Sequence, residues 1–446
     1  MDLPEYIQDF QNLLGPERVI TAGPALERWS LAEGYRPAAV LFPEEAGEVQ
    51  SLLRIADKKQ VPLFPAGSGS RLRESMLPFN QGVVVSLRRL QRIRDLDGEN
   101  LTVEVEAGVT NQELNRLLET KGLLFPPDPD NLEVSTLGGH VATNAFGPKR
   151  LGYGTTRDYL LGLEFVTAQG DLLRFGGKNL KNVAGYDVAR FMAGSRGALG
   201  IITAAIFKLR PLPEAESLVL LSFPGLNEAL NCAGDLRGRG INPVALEFLD
   251  QRGSLALGGS GYTLFLALAG VKEAVAKQVE EVLQLSRARG LRRESVVTEK
   301  GAREAIWGQR RTQVSLLTGT SLKVALLVPP REELAAISEA NPLIDNTSGS
   351  LLAHLGTGRI EVMWIDDPGG LEAGLPDGMK RLLDIAQAHG GLGWVENLTR
   401  PVDSKTWLQL RGAGMAGLTR RLKEALDPNG ILVPTCRWVQ GALGES

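Results

Sequence analysis

Three glycine-rich clusters within residues 65–202 constrain this chain more than any other feature of its sequence. The first reads Gly67-Ser-Gly69-Ser after a short apolar strand, and the other two span residues 135–154 and 176–200. Glycine has no Cβ, so the backbone amides of such clusters can approach a flat or anionic ligand closely. A single Gly-x-Gly is common in ordinary turns, but three clusters in one stretch favour a ligand-binding surface.

The first cluster does not match the fingerprint of nicotinamide-dinucleotide sites. In the Gly-x-Gly-x-x-Gly pattern the third glycine would fall at Leu72, and no βαβ unit with a following acidic residue surrounds it. The second cluster is rich in short polar side chains such as Thr136, Thr143 and Asn144, which can hydrogen-bond a ligand. The clusters therefore predict a pocket built from loops rather than an NAD-type site.

Hydrophobic periodicity predicts an α+β chain with a boundary at Pro211-Leu-Pro213. Before it, a strand, a helix, a second strand and the first glycine-rich loop follow one another over residues 38–70, and an amphipathic helix spans 111–121. Further strands and helices follow the boundary, and no internal repeat is detectable. Residues 123–158 carry few periodic signals, so we interpret them as a long functional loop.

The charge and hydropathy balance excludes several classes of protein. Lysine and arginine total 49 against 52 acidic residues, and a net charge of −3 gives no electrostatic footprint for nucleic acid. No apolar run reaches the roughly 18 residues of a membrane span, and the first residues lack the basic start and apolar core of a secretory signal. We expect a cytoplasmic protein, with any membrane association made through partner proteins.

Cysteine and histidine are scarce. The two cysteines, Cys232 and Cys436, lie far apart and outside any CxxC pair, so the chain has no ligand set for an iron–sulfur cluster or a thiolate zinc site. The three histidines are His140, His354 and His389, and the sequence assigns no role to the first and last. This scarcity limits any mechanism that relies on histidine.

Several segments together resemble the FAD-binding domain of the vanillyl-alcohol-oxidase-like flavoproteins, in the glycolate oxidase and D-lactate dehydrogenase branch. They are Pro65–Ser70, Pro126-Pro-Asp-Pro129, Thr136-Leu-Gly-Gly139 with Ala142-Thr-Asn144, Lys181-Asn182-Val-Ala-Gly-Tyr-Asp187 and Gly197-Ala-Leu-Gly200. Leu173-Arg-Phe-Gly-Gly177, just before the lysine motif, is similar to the FAD-binding accessory subunit of the glycolate oxidase complex. The resemblance spans nearly the whole chain.

The resemblance implies an α+β fold with a bipartite FAD-binding domain (1–213), a ferredoxin-like cap (214–395) and a carboxy-terminal segment (396–446) that returns to the FAD domain. The residues that would cradle the pyrophosphate are Pro65, Ala66, Gly67, Ser68, Gly69 and Ser70. Those implied to contact the rest of the FAD are Pro127, Asp128, Thr136, Gly139, Asn144, Gly147, Tyr153, Gly200 and Ile202. Some relatives attach flavin to a histidine of the phosphate loop, and residues 66–72 contain none, so we expect noncovalent FAD.

The cap departs from the pattern of relatives that oxidise 2-hydroxy acids. Those relatives carry a His-x6-His segment within a Gly-Asp-Gly-Asn-Leu-His pattern and a later Glu-His pair; the first three residues hold a divalent metal, and the last histidine takes the substrate proton. Here the segments read His354-Leu-Gly-Thr-Gly-Arg-Ile-Glu361 and Glu396-Asn397. His354, Glu361 and Glu396 are acceptable zinc or manganese ligands, whereas Asn397 has no titratable group to act as a base. On its own, His354 is equally compatible with a hydrogen-bonded core histidine.

Two cationic residues, Arg310 and Lys323, match positions that engage the substrate carboxylate in relatives. A guanidinium and an ammonium can bracket a carboxylate, although isolated charged residues are commonly surface groups. The resemblance thus implies that the catalytic set is Arg310, Lys323, His354, Glu396 and Asn397.

The sequence predicts an FAD-linked oxidoreductase subunit of a glycolate/D-lactate dehydrogenase-type complex. The resemblance implies that it works beside a homologous flavin subunit and an iron–sulfur subunit. Because the chain has no cysteine set of its own for clusters, its electrons must leave through another protein or a diffusible acceptor. One alternative is a self-sufficient D-2-hydroxy-acid dehydrogenase with a divalent metal at His354, Glu361 and Glu396. The other is a scaffold subunit whose FAD is structural.

Overall fold

The computed structural model describes residues 4–29, 36–70, 82–178, 185–317, 322–345, 349–364, 377–398 and 416–432. It shows a mixed helix and sheet fold, with two smaller sheets before the Pro211–Pro213 boundary and one large sheet after it. The predicted motif at Lys181-Asn182 and the thiol of Cys436 lie outside the described residues. No helix in the described ranges is both long and apolar enough to cross a membrane.

The amino-terminal half begins with a small mixed sheet. Its strands are β1 (Val19–Ile20), β2 (Ala39–Leu41), β3 (Leu63–Ala66) and β4 (Val83–Ser86), in the order β1-β2-β4-β3, with β2 and β3 parallel to β4. The helices around it are α1 (Glu5–Leu14), α2 (Pro24–Glu27) and α3 (Ala46–Lys59). Four apolar residues of α3 recur at helical spacing and are fully buried: Val49, Leu52, Leu53 and Ala56. The predicted strand, helix, strand and glycine-rich loop is confirmed.

An antiparallel sheet forms the second part of this half. Its strands are β5 (Ile93–Asp97), β6 (Thr102–Glu106), β8 (Leu160–Val166), β9 (Leu172–Gly176) and β10 (Ile201–Lys208), in the order β5-β6-β10-β8-β9, and the short β7 (Leu123–Leu124) pairs with β11 (Arg210–Pro211). Helix α4 (Asn111–Glu119) begins with a capping box between Thr110 and Glu113. One apolar core is shared by both sheets, which therefore form one packed unit.

Residues 123–158 differ from the predicted long loop. They contain α5 (Leu137–Thr143), α6 (Arg150–Tyr153) and α7 (Thr156–Tyr159), and α8 (Val188–Met192) lies further along. The sequence of α5 includes two glycines, which lower helix propensity and hide the helical signal. A Cβ on Gly138 would lie 2.5 Å from the Ala107 Cβ, so glycine here allows α5 to pack closely beside β6.

The carboxy-terminal half is built on one large antiparallel sheet. Its strands are β12 (Ala215–Phe223), β13 (Ala245–Leu249), β14 (Tyr262–Gly270), β15 (Arg293–Val297), β16 (Leu322–Leu327), β17 (Gly349–His354), β18 (Arg359–Trp364) and β19 (Leu392–Leu398). Its helices are α9 (Leu226–Gly238), α10 (Gln251–Ala256), α11 (Lys272–Ala288), α12 (Lys300–Leu317), α13 (Glu333–Asp345) and α14 (Asp377–Ala388). The strand order is β15-β12-β14-β13-β17-β18-β16-β19.

This sheet divides into two units of the same topology. In each unit the fourth strand lies beside the first, the first beside the third, and the third beside the second. This is the order of a ferredoxin-like βαββαβ unit, so the predicted ferredoxin-like cap is confirmed and contains two such units. They join where β13 pairs with β17, including Glu247 opposite His354. No internal repeat was detectable in the sequence because the units share strand order rather than a residue pattern.

The chain returns to the amino-terminal half after α15 (Ala416–Leu426). Leu432 forms a parallel bridge with Leu63, at the start of β3. The buried Lys423 Nζ donates to the Ala198 carbonyl at 2.9 Å and also to the Leu432 carbonyl. These contacts tie the described part of the carboxy-terminal segment to the loop that precedes β10.

Candidate functional site

A pocket with about 890 Å³ of open volume lies between the small mixed sheet, α5 and the loop before β10. The residues that line it are Pro65, Ala66, Gly67, Ser68, Gly69, Ser70, Leu87, Ala107, Pro129, Asn131, Ser135, Thr136, Gly138, Gly139, His140, Ala142, Thr143, Ala145, Arg196, Gly197, Gly200 and Ile202. Most are small, so backbone forms much of the wall. Each of the three glycine-rich clusters contributes residues to the lining, as predicted for a pocket built from loops.

The first wall is the loop that follows β3. Gly67 lies so close to α5 that a Cβ there would be 2.2 Å from Thr136 Oγ1, and Gly69 has a φ of +82°, which favours glycine. Ser86 Oγ donates to the Gly67 carbonyl at 2.8 Å. Ser68 Oγ is buried and has no hydrogen-bond partner among the described residues. Close-packed glycines and an unused hydroxyl make this loop a suitable cradle for a phosphate.

The second wall is α5. Its capping residue is Thr136, whose Oγ1 accepts a hydrogen bond from the Gly139 amide at 3.3 Å. His140 is 2% exposed and its Nε2 lies 2.8 Å from Ser135 Oγ. The sequence assigned no role to His140, because a lone histidine between small residues carries no pattern that points to a pocket.

The third wall is the loop before β10. Gly197 has a φ of +80°, and a Cβ there would lie 3.1 Å from the Pro65 side chain. The neighbouring Arg196 has a φ of +52°, unusual for a residue with a side chain. The Lys423 bond to Ala198 holds this same loop. The third wall is thus fixed by contacts with the first wall and with the carboxy-terminal segment.

The residues implied to contact FAD fall into two groups. Those in the pocket lining are Pro65, Ala66, Gly67, Ser68, Gly69, Ser70, Thr136, Gly139, Gly200 and Ile202. Those outside the lining are Pro127, Asp128, Asn144, Gly147 and Tyr153. The carbonyl of Pro127, for example, accepts a hydrogen bond from Asn111 Nδ2 at 2.8 Å.

The second group shapes the structure around the pocket. A Cβ on Gly147 would lie 1.9 Å from the Asp128 carbonyl oxygen, so these two segments touch. Burial raises the pKa of Asp128 to about 7. Asn144 ends α5 with a φ of +46°, and its Oδ1 accepts from the Arg157 amide at 3.0 Å. Tyr153 packs against the apolar core of the cap.

The pocket fits FAD. The glycines that leave room where a Cβ would clash and the unused Ser68 hydroxyl suit a nucleotide with a pyrophosphate. Pro65–Ser70 would hold the pyrophosphate, and α5 with the loop before β10 would enclose the remainder.

We expect acid or heat denaturation to release the FAD intact. Within the described lining, His140 carries the nucleophilic imidazole, and its Nε2 is engaged by Ser135; Cys232 is buried in the cap core. The flavin absorbance of the supernatant after precipitation measures the release. Yellow colour that stays with the washed polypeptide would contradict the prediction, and a His140→Ala variant would then show whether His140 is the attachment point.

A second group of polar side chains lies buried where the two cap units meet. Glu247 on β13 is opposite His354 on β17, and His354 is opposite Arg359 on β18. Glu361 lies two residues beyond Arg359, so both side chains share one face of the sheet. We call these residues, with Arg310, Lys323 and Glu396, the cap cluster.

Arg310 on α12 is 2% exposed and is fully engaged within the protein. Its Nε and Nη2 donate to the two carboxylate oxygens of Glu247 at 3.0 and 2.6 Å, and its Nη1 donates to Asp130. His354 Nδ1 lies 2.9 Å from Glu247 Oε1. Burial would raise the pKa of Glu247, but the charge of Arg310 and the hydrogen bond with His354 lower it to about 2. Arg310 therefore joins the two halves of the chain rather than presenting free donors to a substrate carboxylate.

Arg359 and Lys323 together neutralise two further carboxylates. Arg359 donates from Nε to Glu361 Oε1 and from Nη2 to Glu396 Oε1, both at 2.6 Å. Lys323 Nζ lies 2.9 Å from Glu361 Oε2 and 3.2 Å from Glu396 Oε2. Against the effect of burial, these cations hold the pKa of Glu361 well below its usual value and that of Glu396 at about 2. The backbone of Asn397 pairs with Lys323, and its side chain lies outside the described structure.

The predicted metal ligands do not fit a metal ion. Glu361 and Glu396 are already bound by two permanent cations, and His354 Nε2 is 4.0 Å from Glu361 Oε1. Over the described ranges, no group of three or more His, Cys, Asp or Glu side chains is arranged to hold a metal. Sequence reasoning missed Arg359, although it stands where the Gly-Asp-Gly-Asn-Leu-His pattern has asparagine.

Comparisons with known proteins agree with this architecture. Two family models match: an FAD binding domain over residues 37–176 and the C-terminal domain of FAD linked oxidases over residues 212–435. Glycolate oxidase subunit GlcD of Bacillus subtilis (strain 168) is 31% identical over 419 residues, covering 89% of this chain and 88% of that protein. The probable mitochondrial D-lactate dehydrogenase of Danio rerio is 29% identical over 383 residues, covering 81% of this chain and 77% of that protein. A crystal structure of p-cresol methylhydroxylase shares the fold, with a TM-score of 0.76 at 18% identity over 98% of this chain and 96% of that one.

The matched FAD binding domain and the pocket define a flavoprotein with FAD as its cofactor, and its fold is the one found in p-cresol methylhydroxylase. The two matched domains and the relatives over most of the chain narrow this class further. The chain belongs to the FAD-linked oxidase family and is an oxidoreductase of its glycolate oxidase and D-lactate dehydrogenase branch.

Proposed function

We propose that this chain is the FAD-binding subunit of a complex that oxidises a 2-hydroxy acid such as glycolate or D-lactate. In this proposal a homologous flavin subunit performs most of the substrate oxidation, and an iron–sulfur subunit receives the electrons. The observation that carries the proposal is the cap cluster, in which the cations and carboxylates are paired with one another.

Oxidation of a hydroxyl group needs a base for its proton. Glu247 and Glu396, each with a pKa lowered to about 2, are weak bases near neutral pH. Asn397, at the position implied for the base, cannot accept the proton at all. His354 is 5% exposed and is enclosed by Glu247, Glu361 and Phe146, so a substrate has little access to it. The cap cluster therefore offers no free base to a 2-hydroxy acid.

The composition supports an external electron acceptor. Bound FAD supplies a ring system that takes up two electrons and can return them singly or in pairs. The chain itself has two cysteines, fewer than the four thiolates of a typical iron–sulfur cluster. Any iron–sulfur relay must then belong to another protein.

We expect the isolated, FAD-loaded chain to oxidise glycolate and D-lactate slowly or not at all with an artificial acceptor such as a dichlorophenol indophenol dye. Loss of a positioned base alone typically costs 10²- to 10⁴-fold in rate. Chemical reduction of the same sample should bleach the flavin, which shows that the cofactor is redox-competent. Rapid turnover by the isolated chain would instead support the self-sufficient dehydrogenase, and a flavin that resists reduction would support the scaffold role.

The same experiment extends to the partners. A native pull-down from the source cells should recover a cysteine-rich iron–sulfur protein and a second flavoprotein, and the recovered complex should oxidise a 2-hydroxy acid. Recovery of the chain alone, in an active state, would contradict the subunit proposal.

A further inference from the structure

The Arg359 guanidinium lies in a closely built environment inside the cap. It bonds Glu361 and Glu396, each at 2.6 Å, and is 6% exposed. Its Cζ lies 5.0 Å from the ring centroid of Phe146 and 5.6 Å from that of Trp394. Two carboxylates and two aromatic faces therefore hold this cation, an arrangement that stabilises a buried guanidinium strongly.

The same side chains include the residue types that commonly bind a divalent metal. The Oε1 atoms of Glu361 and Glu396 both accept from the Arg359 guanidinium, the Oε2 atoms of both carboxylates face Lys323, and His354 Nε2 lies 4.0 Å from Glu361 Oε1. One nitrogen and two carboxylate oxygens are a sufficient ligand set for zinc. Residues of these types are thus present, but they are not arranged around an ion, because the Arg359 guanidinium lies between the two carboxylates.

We infer that Arg359, supported by Lys323, is a built-in replacement for a divalent cation in the cap. The two carboxylates carry two negative charges, and the two side chains balance them. A divalent ion would have to displace Arg359 and leave its charge buried without a partner, which is costly in a low-dielectric interior. The cap is therefore independent of metal, and removal of the guanidinium opens a latent metal site.

The replacement also gives the cation a structural task that a metal could not perform in the same way. Phe146 directly follows Ala145, which lines the FAD pocket, so the stacking of Arg359 on Phe146 joins the cap cluster to the pocket wall. Arg150 stacks on the same ring, with its Cζ 4.5 Å from the centroid. Arg359 thus has two roles. It neutralises the carboxylates, and its stacking on Phe146 fixes the cap against the flavin domain.

The test is zinc binding by the FAD-loaded chain after treatment with EDTA and dialysis. We expect the natural protein to bind no Zn²⁺ at the cap. We expect Arg359→Asn to bind about one equivalent, with an affinity at least about tenfold above that of any residual binding by the natural protein. Adding Lys323→Met should strengthen binding again, because both carboxylates are then free. Calorimetric titration and elemental analysis measure the affinity and the stoichiometry.

Arg150→Asn is the matched control. This variant removes the other guanidinium that stacks on Phe146, but it frees neither the Glu361 nor the Glu396 carboxylate. It should therefore bind no more Zn²⁺ than the natural protein. Any zinc held near His389, which lies 3.4 Å from Glu332 and 3.2 Å from Glu339, is subtracted with a His389→Ala variant.

Two results would overturn the inference. One is an equivalent of Zn²⁺ in the natural protein that Glu361→Gln abolishes. The other is an Arg359 variant that folds, binds FAD and takes up no more zinc than Arg150→Asn; Arg359→Gln, closer in length to arginine, serves where the asparagine variant fails to fold. The readout is metal binding rather than turnover, so it stands or falls separately from the proposed subunit role.

Discussion

Replacing Gly67 with aspartate should abolish FAD binding. A Cβ at this position would lie 2.2 Å from Thr136 Oγ1 and 3.2 Å from two carbon atoms of the same side chain, so the loop and α5 would have to separate. The added carboxylate would also face the pyrophosphate, like charge against like charge. We expect the affinity for FAD to fall on the order of 100-fold or more. At about 1.4 kcal/mol per factor of ten, this corresponds to a loss of about 2.8 kcal/mol of binding free energy.

The two causes can be separated. Gly67→Ala introduces the clash without the charge, and its affinity should fall between those of the natural protein and Gly67→Asp. Gly177→Asp is the control, because a Cβ on Gly177 meets nothing within 4 Å and the residue lies outside the pocket lining. Flavin content after purification and FAD titration of the apoprotein give the affinities. Normal flavin content in Gly67→Asp would show that this loop does not hold the pyrophosphate.

The flavin pocket could be predicted from the sequence because its backbone conformation requires glycine at particular positions. Gly69 and Gly197 have positive φ angles, and Gly67 has no space for a Cβ. Few other residues can stand at such positions, so the need for a close backbone approach leaves a visible pattern. Sequence reasoning found all three clusters for this reason.

The elements that were missed have weak local signals. Helix α5 contains two glycines and α13 contains Pro342, and both residue types lower helix propensity. Strand β15 is mostly exposed and carries charged residues. Tertiary packing rather than intrinsic propensity decides the conformation of these segments.

The cap cluster could not be derived from the sequence because its contacts are long-range. Arg310 matches a substrate-binding position by resemblance, but its partners Glu247 and Asp130 lie 63 and 180 residues away. The register of β13, β17, β18, β16 and β19 brings the strand residues of the cluster together, and α12 adds Arg310. A single arginine in a short motif does not reveal which carboxylates it will meet.

Replacing Arg310 with methionine should cost about 3–5 kcal/mol of unfolding free energy at neutral pH, because it leaves the fully buried Glu247 carboxylate without its guanidinium. Arg174→Met is the control: Arg174 is 68% exposed, and its partner Glu164 keeps Arg94, so the loss should stay below about 1 kcal/mol. Urea unfolding at saturating FAD measures the loss of unfolding free energy in both variants. Combining Arg310→Met with Glu247→Gln should restore most of the stability, since the second change removes the unpaired charge.

The pH dependence of the Arg310→Met deficit tests its cause. In the natural protein the pKa of Glu247 is about 2, below the value of about 4.3 in an unfolded chain, so its ionised form contributes stability that is lost as the pH falls towards 2. Without Arg310, burial raises the pKa of Glu247, and the folded variant gains stability when that carboxyl takes up a proton. The two stability curves therefore converge as the pH falls, so the deficit should be largest near pH 7 and clearly smaller by about pH 4.5. A deficit that stays constant between these pH values would mean that lost packing, rather than the buried charge of Glu247, accounts for the effect.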